Sequence, residues 1–278
     1  MNKLLSIIAI LGIVASLPQT SVATPEDDLK AFQEYYKLRF PEVPFNDYVN
    51  GVYALDADSR AQWEAIEDFP PYELNIEKGK EMFNKPFKNG KTYASCFKNE
   101  GIGIRQNYPY FDTKTGKVVT LEGAINACRE ANGEEPLGWK KGPLADISAY
   151  MAYTSRGNVF DIKIPDDPRA IDAYNKGKQF FYAKRGQLNM ACADCHVYNA
   201  GNRIRADLLS PALGQLTHFP VYRSKWGELG TVQRRYGGCN EQVRAKAFKP
   251  QSEEYNNLEY FHTYMSNGLE VNGPGARK

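Results

Sequence analysis

A mainly α-helical, loop-rich chain built from two related halves is predicted by three features of the sequence. The first is an internal repeat. Cys128 and Cys239 lie 111 residues apart, as do Ile147 and Leu258, Tyr150 and Phe261, Tyr153 and Tyr264, and Gly157 and Gly268. Five coincidences at one offset point to duplication. The second is periodicity: Ile147, Tyr150 and Tyr153, like Leu258, Phe261 and Tyr264, fall at i, i+3, i+6, which sets each trio on one helical face. The third is punctuation, since 16 prolines and 23 glycines require many turns between the helices.

In chain order, Met1 to Ala23 reads as an export leader. Lys3 precedes a 14-residue apolar run, Leu4–Leu17, and Ser21-Val22-Ala23 has the small-x-small pattern of a cleavage site. The run is shorter than the roughly 20 residues of a membrane-spanning helix, so export to the periplasm is expected and a membrane span is not. Removing Lys3 leaves a formal charge of +1, which disfavours a nucleic-acid binder. A charged fraction of 24% with 13% aromatics excludes disorder. Residues 24–60 read as an extension of short helices with no assigned chemistry. Helices are expected to begin near Ile76 and near Ala173, and the prolines of Asp161–Pro168 mark a linker between the halves. The expected division is a leader over 1–23, an N-terminal domain over 24–160, a linker over 161–168 and a C-terminal domain over 169–278.

Five cysteines in an exported chain cannot all pair, so at least one sulfur has another task. Cys192-Ala193-Asp194-Cys195-His196 has the C-x-x-C-H spacing of covalent c-type haem attachment. One helical turn presents two thiols to the two haem vinyls and the following imidazole to the iron. A redox-active pair of cysteines would have no need of His196. Both halves then read as cytochrome c-like domains in tandem. Aligned by the repeat, Tyr93-Ala94-Ser95-Cys96-Phe97 occupies the place of the motif but puts Tyr93 at the first cysteine and Phe97 at the histidine. The N-terminal domain is therefore expected to carry no haem. Cys96 and Cys128 remain as a pair, and a disulfide between them would contribute on the order of 3 kcal/mol to a domain without a cofactor core.

The sixth iron ligand decides the function. Met190 lies too close to Cys192 to reach over a haem. Met265 has a workable spacing, but its repeat counterpart is Thr154, and packing in the last helix is expected. His262 is expected at the surface, and His218 sits on a loop. Cys239 is the odd sulfur, in Arg234-Arg235-Tyr236-Gly237-Gly238-Cys239-Asn240, where the paired glycines allow close approach to a planar group. Between Arg223 and Lys249, seven basic residues and only Glu228 and Glu241 give a local charge of +5. Arg235 is one helical turn before Cys239, and its guanidinium fork suits a small sulfur oxyanion. A plain electron-transfer cytochrome, with Met265 or His218 on the iron and Cys239 structural, is the competing reading.

Taken together, the leader, the paired halves, Cys192-Ala193-Asp194-Cys195-His196 and Arg234-Arg235-Tyr236-Gly237-Gly238-Cys239-Asn240 resemble the SoxA family, the catalytic cytochrome subunits of bacterial thiosulfate oxidation. The likeness runs from about Ile76 to Gly268. It implies an L-cysteine S-thiosulfotransferase that joins thiosulfate to a cysteine of the carrier SoxYZ and passes electrons through haem c to a SoxX subunit. On matching positions it implies Cys192 and Cys195 as thioether residues, His196 as proximal ligand, Cys239 as distal ligand and catalytic sulfur modified to a persulfide, and Arg235 as substrate-binding residue. Tyr93 and Phe97 depart from two-haem members, so the sequence is similar to the single-haem branch, with Cys96–Cys128 as its disulfide.

Overall fold

The computed structural model describes residues 23–277. All but Ala23 of the expected leader lies outside the described residues. The first helix, α1 (Pro25–Arg39), starts at a reciprocal cap: Thr24 Oγ1 accepts from the Asp27 N–H (3.2 Å) while the Asp27 carboxylate accepts from the Thr24 N–H (3.0 Å). After a 3₁₀ segment, Phe45–Ala54, comes α2 (Ala57–Glu67), capped by Asp56. The N-terminal half continues with α3 (Glu73–Asn84), a hairpin of β1 (Tyr110–Asp112) and β2 (Lys117–Val119), α4 (Leu121–Ala131) and α5 (Pro143–Tyr153). The C-terminal half has α6 (Pro168–Tyr182), the minor hairpin β3 (Arg203–Ile204) and β4 (Asp207–Leu208), then β5 (Val221–Arg223), β6 (Glu228–Gly230), α7 (Val232–Gln242) and α8 (Glu253–Tyr264). The strand β7 (Gly275–Arg277) adds to β5 in parallel, giving a small sheet ordered β6-β5-β7. No helix among the described residues is long and apolar enough to cross a membrane.

Each half rests on one close helix pair, α3 on α5 and α6 on α8. Glycine makes both crossings possible. A Cβ added at Gly79 would stand 2.0 Å from the Asp146 carbonyl oxygen, and one at Gly177 would stand 2.0 Å from that of Asn257. Asp146 and Asn257 are themselves 111 residues apart, as are the first residues of β1 and β5, of β2 and β6, and of α4 and α7.

Apolar burial divides into a larger core in the C-terminal half, a second around α3, α4 and α5, and a small third one between them. The second core closes over Tyr93, which is 1% exposed, stacked on Phe83 and edge-on to Phe87, with its hydroxyl accepting from Arg129 (3.1 Å). Cys96 and Cys128 are bonded beside it, with Cα atoms 5.8 Å apart.

Three expectations need correction. The N-terminal extension is not made of short helices alone. α1 runs for 15 residues and sends Phe32 and Tyr36 into the larger core with Phe181 and Phe261. Within residues 161–168, the Asn267 side chain bonds both the N–H and the carbonyl of Ile162, which is buried. His262 is buried, with Nδ1 3.1 Å from the Tyr236 hydroxyl and its ring against Phe181. Of the two aromatic trios only the second is wholly inside: Tyr153 is 48% exposed and Tyr264 4%. Positions spaced i, i+3, i+6 drift around a helix of 3.6 residues per turn, so the third needs extra cover. For Tyr264 that cover comes from α1, whose Glu26 bonds its hydroxyl; burial and that carboxylate push the phenol up to about 12.

Candidate active site

The C-x-x-C-H segment forms a short helical turn. The Asp194 carboxylate accepts from the Ala191 N–H (2.8 Å) at its start, and Asp194–Tyr198 is wound as a single widened π turn. Asn199 ties back to the Asp194 carbonyl (2.8 Å). Ala193 and Val197 point into the larger core and Cys192 packs against its edge, while Cys195 and His196 are likewise half-buried.

His196 Nδ1 lies 2.9 Å from the Ser210 carbonyl. A carbonyl only accepts, so Nδ1 carries the proton and Nε2 holds the lone pair, the tautomer a metal ligand requires. The Gln215 amide lies 2.8 Å from the same Nδ1, and with Nδ1 protonated it is the amide oxygen, not its NH2, that faces the ring. Burial drives the imidazole down to about 4 against the pull of the Ser210 carbonyl, with the Arg235 charge helping, so it is neutral at ordinary pH.

α7 brings the third sulfur to this turn. Its cap residue Thr231 donates through Oγ1 to the Trp139 carbonyl (3.0 Å), and Val232 and Tyr236 are buried. Arg235 and Cys239 follow one turn apart on the half-buried side. The Cys239 charge acts on both motif thiols. Cys192 is pushed up to about 12 by burial first and by Cys239 second, and Cys195 is raised by the same two causes while Arg235 opposes them. Between Arg235 and Cys239, Gly238 faces open space, with no heavy atom within 4 Å of where a Cβ would stand. Asn240 fixes the helix end by donating to the Tyr236 carbonyl (2.9 Å) and the Tyr255 hydroxyl (3.0 Å).

The basic run separates into distinct roles. Arg234 pairs with Glu228 (3.0 Å) and lies over the Trp226 ring, while Lys225, Arg244, Lys246 and Lys249 are exposed. Arg223 on β5 was counted in the sequence only as part of the charge run. Burial first and Arg235 second bring it down to about 10, while Cys239 pulls the other way. Arg185, also unweighted in the sequence, stacks on Phe180 and feels Cys192. The only signal that could have marked Arg223 is its place in a strand whose repeat counterpart ends at Asp112.

Of the remaining candidates, His262 lies close enough to His196 to feel it, burial first and that imidazole second bringing it down to about 3. Met265 is buried and lines a cavity behind the motif turn with Tyr35, Val197, Tyr198 and Phe261. His218 is buried against Phe219, with Arg277, His262 and Arg223 as its charged neighbours. Two thiols, a neutral imidazole presenting Nε2, a third thiol one helix away and a bare glycine beside it form a donor set that fits a covalently held haem.

The comparisons with known proteins agree with this chemistry. Residues 78–160 match the family model described as SoxA/TsdA, cytochrome c domain. The chain is 55% identical to the L-cysteine S-thiosulfotransferase subunit SoxA of Allochromatium vinosum over 99% of its own length and 98% of that protein's. It is 59% identical to the subunit of that name from Chlorobaculum tepidum, over 92% and 89%. The crystal structure of SoxXA from P. pantotrophus superposes with a TM-score of 0.71 at 36% identity, covering 78% of this chain and 84% of that one. The two Cys-bearing segments that carry the chemistry thus sit in a chain that belongs to the SoxA family of L-cysteine S-thiosulfotransferase subunits.

Proposed function

We propose that the protein is the catalytic cytochrome subunit of a periplasmic thiosulfate-oxidising complex, an L-cysteine S-thiosulfotransferase working with a SoxX subunit on the carrier SoxYZ. The observation that carries this reading is the placement of Cys239 and Arg235, one turn apart on α7, where their charges act on Cys195. An electron shuttle needs no third sulfur and no oxyanion fork there. Met265 and His218, the distal ligands of the shuttle alternative, have Tyr35 and Val197, or Arg277 and His262, as neighbours instead.

In this reading Cys192 and Cys195 would hold haem c by thioethers, His196 and Cys239 would supply the protein ligands to its iron, and Cys239 would also be the catalytic sulfur, carried as a persulfide. Haem c held by these residues would supply one-electron redox chemistry between the site and SoxX. The chain's own residues do the rest. Arg235, with Arg223 beside it, binds and orients the thiosulfate oxyanion. Cys239 supplies the sulfur at which the substrate is passed on. The overall conversion is carrier–SH + S₂O₃²⁻ → carrier–S–S–SO₃⁻ + H⁺ + 2 e⁻: one S–H bond breaks and one S–S bond forms.

The shared offset of β1 and β5, of α4 and α7, and of the carbonyls Asp146 and Asn257 that face the two crossing glycines supports a tandem duplication of cytochrome c-like domains. The family model's match to residues 78–160 supports the same origin for the half that lacks a C-x-x-C-H motif. Tyr93, packed where the first thioether sulfur would stand, supports a haem-free N-terminal domain over 24–160, stapled by Cys96–Cys128 and joined through 161–168 to a haem-bearing domain over 169–278. The leader over 1–23 directs export.

The test is Cys239→Ala in the complex with SoxX. Thiosulfate-dependent transfer to the carrier should fall by about a thousandfold or more, while a mass map still finds one haem on the Cys192–Cys195 peptide. Normal turnover by this variant would leave the electron shuttle as the better reading.

A further inference from the structure

The motif turn ends in carbonyl oxygens that its own helix does not satisfy, because the last carbonyls of any helix lack an N–H four residues on. α1 meets them from outside. Tyr36 Oη donates to the His196 carbonyl (2.5 Å), Tyr35 Oη to the Val197 carbonyl (3.1 Å) and Arg39 Nη2 to the Ala200 carbonyl (2.9 Å). Arg39 Nη1 also donates to Tyr35 Oη (2.9 Å), which fixes the row. Spacing of i, i+1 and i+4 puts the three side chains on neighbouring faces of α1, and Phe32 and Tyr36 anchor that helix in the larger core.

Tyr36 does more than cap. Its hydroxyl accepts from the Ala212 N–H (3.0 Å), which also donates to the His196 carbonyl (2.9 Å). Ala212 is two residues past Ser210, whose carbonyl holds His196 Nδ1. One fully buried hydroxyl therefore ties the backbone of His196 to the segment that sets the tilt and tautomer of its ring.

We propose that α1 is an external C-terminal cap of the haem-motif turn, and that Tyr36 is a positioning residue for His196 through which the N-terminal extension tunes the haem iron. The proposal rests on the reading of Cys192, Cys195 and His196 as the haem-holding residues. The direction of the effect follows from the Nδ1–H···O=C bond, which makes an imidazole a stronger donor to its metal. Without the Tyr36 hydroxyl the bracket around Ser210 slackens, the imidazole becomes a weaker donor, and the ferric form loses stabilisation.

Tyr36→Phe and Tyr36→Leu, made in the full chain with haem attached, test this. The Phe variant keeps the buried ring. It should hold one haem by mass and unfold within about 5 °C of the parent, yet show a reduction potential shifted upward. Amide hydrogen exchange across residues 196–212 should be roughly tenfold faster. The Leu variant should add a lower unfolding midpoint to the same two changes. An unchanged potential and unchanged exchange in the Phe variant would overturn the proposal and reduce Tyr36 to core packing, whether or not the Leu variant folds. Absence of haem from the Cys192–Cys195 peptide of the parent would instead remove the site reading, and the exchange rates would still decide the cap.

Discussion

Arg234 and Arg235 are adjacent in sequence and opposite in use. Arg234 is held by Glu228 and stacked on Trp226, so its charge is neutralised at the edge of the small sheet. Arg235 points to the side of α7 that carries Cys239, and its charge is felt by Cys195, His196 and Arg223. The Arg235 charge close to the half-buried Arg223 guanidinium is a standing repulsion that a small dianion relieves. Arg235→Ala should raise the KM for thiosulfate by about tenfold to a hundredfold and leave the haem spectrum unchanged, as steady-state kinetics and absorption would show. Arg234→Ala should change neither by more than about twofold, because its guanidinium is committed to Glu228 and Trp226 and not to the Cys239 side of α7. Equal losses in both variants would remove Arg235 from the substrate site.

At the scale of elements, the helix pairs α3–α5 and α6–α8 depend on a missing side chain. Gly79 and Gly177 let the backbones approach to a distance at which any Cβ would overlap a carbonyl oxygen. Gly177→Ala should force α6 away from α8 and cost about 3 kcal/mol, read as a lower unfolding midpoint. Since α8 carries Phe261 and His262 toward Phe181 and Tyr236, the haem absorption should also broaden. A parent-like midpoint would mean that the crossing relaxes at no cost. The element boundaries were legible only roughly: the helices expected near Ile76 and Ala173 begin at Glu73 and Pro168, and the side-chain caps Thr120, Asp167 and Ser252 and the first-turn Pro143 and Pro168 are local signals left unused in that reading. The extent of α1 was not legible. Its apolar positions are few, and its buried tyrosines are explained by partners about 160 residues away in sequence.

Over the whole molecule, the two halves meet through equivalent groups. Ser148 donates to Glu122 (2.8 Å) in one half, and Gln233 donates to Glu259 (3.0 Å) in the other; Glu122 and Gln233, like Ser148 and Glu259, are 111 residues apart. Phe111 and Val118 of the first hairpin enter the C-terminal core, while Leu229 of the second packs on Ala145 and Ala149 of α5. This junction holds a titratable group. Burial and the Glu122 carboxylate push Glu259 up to about 8, against the opposing Arg105 charge and the Gln233 hydrogen bond, with the Tyr236 phenol also nearby. An acid whose pKa is raised by folding binds its proton more tightly in the folded state. Its contribution to stability is full below about 4.5 and is lost as pH rises toward about 8. Glu259→Gln should match the parent near the lower pH and exceed it by about 2 kcal/mol near the upper one. Parallel curves in thermal denaturation across that range would show that Glu259 ionises as it would in water.

The sequence by itself determined the chemistry that lies within one or two helical turns: the C-x-x-C-H motif, the Tyr93 and Phe97 at the aligned positions of the other half, the odd sulfur Cys239 and the arginine one turn before it. Short spacings in a helix fix which side chains share a face, so these relations survive whatever the rest of the chain does. Only the tertiary structure decided which long-range partners those residues meet. It turned α1 onto the back of the motif turn, buried His262 beside Tyr236, separated Arg234 from Arg235 and placed Arg223 near Cys239. Such outcomes depend on how apolar faces from distant segments pack together, and packing is a property of the assembled core that no local pattern encodes.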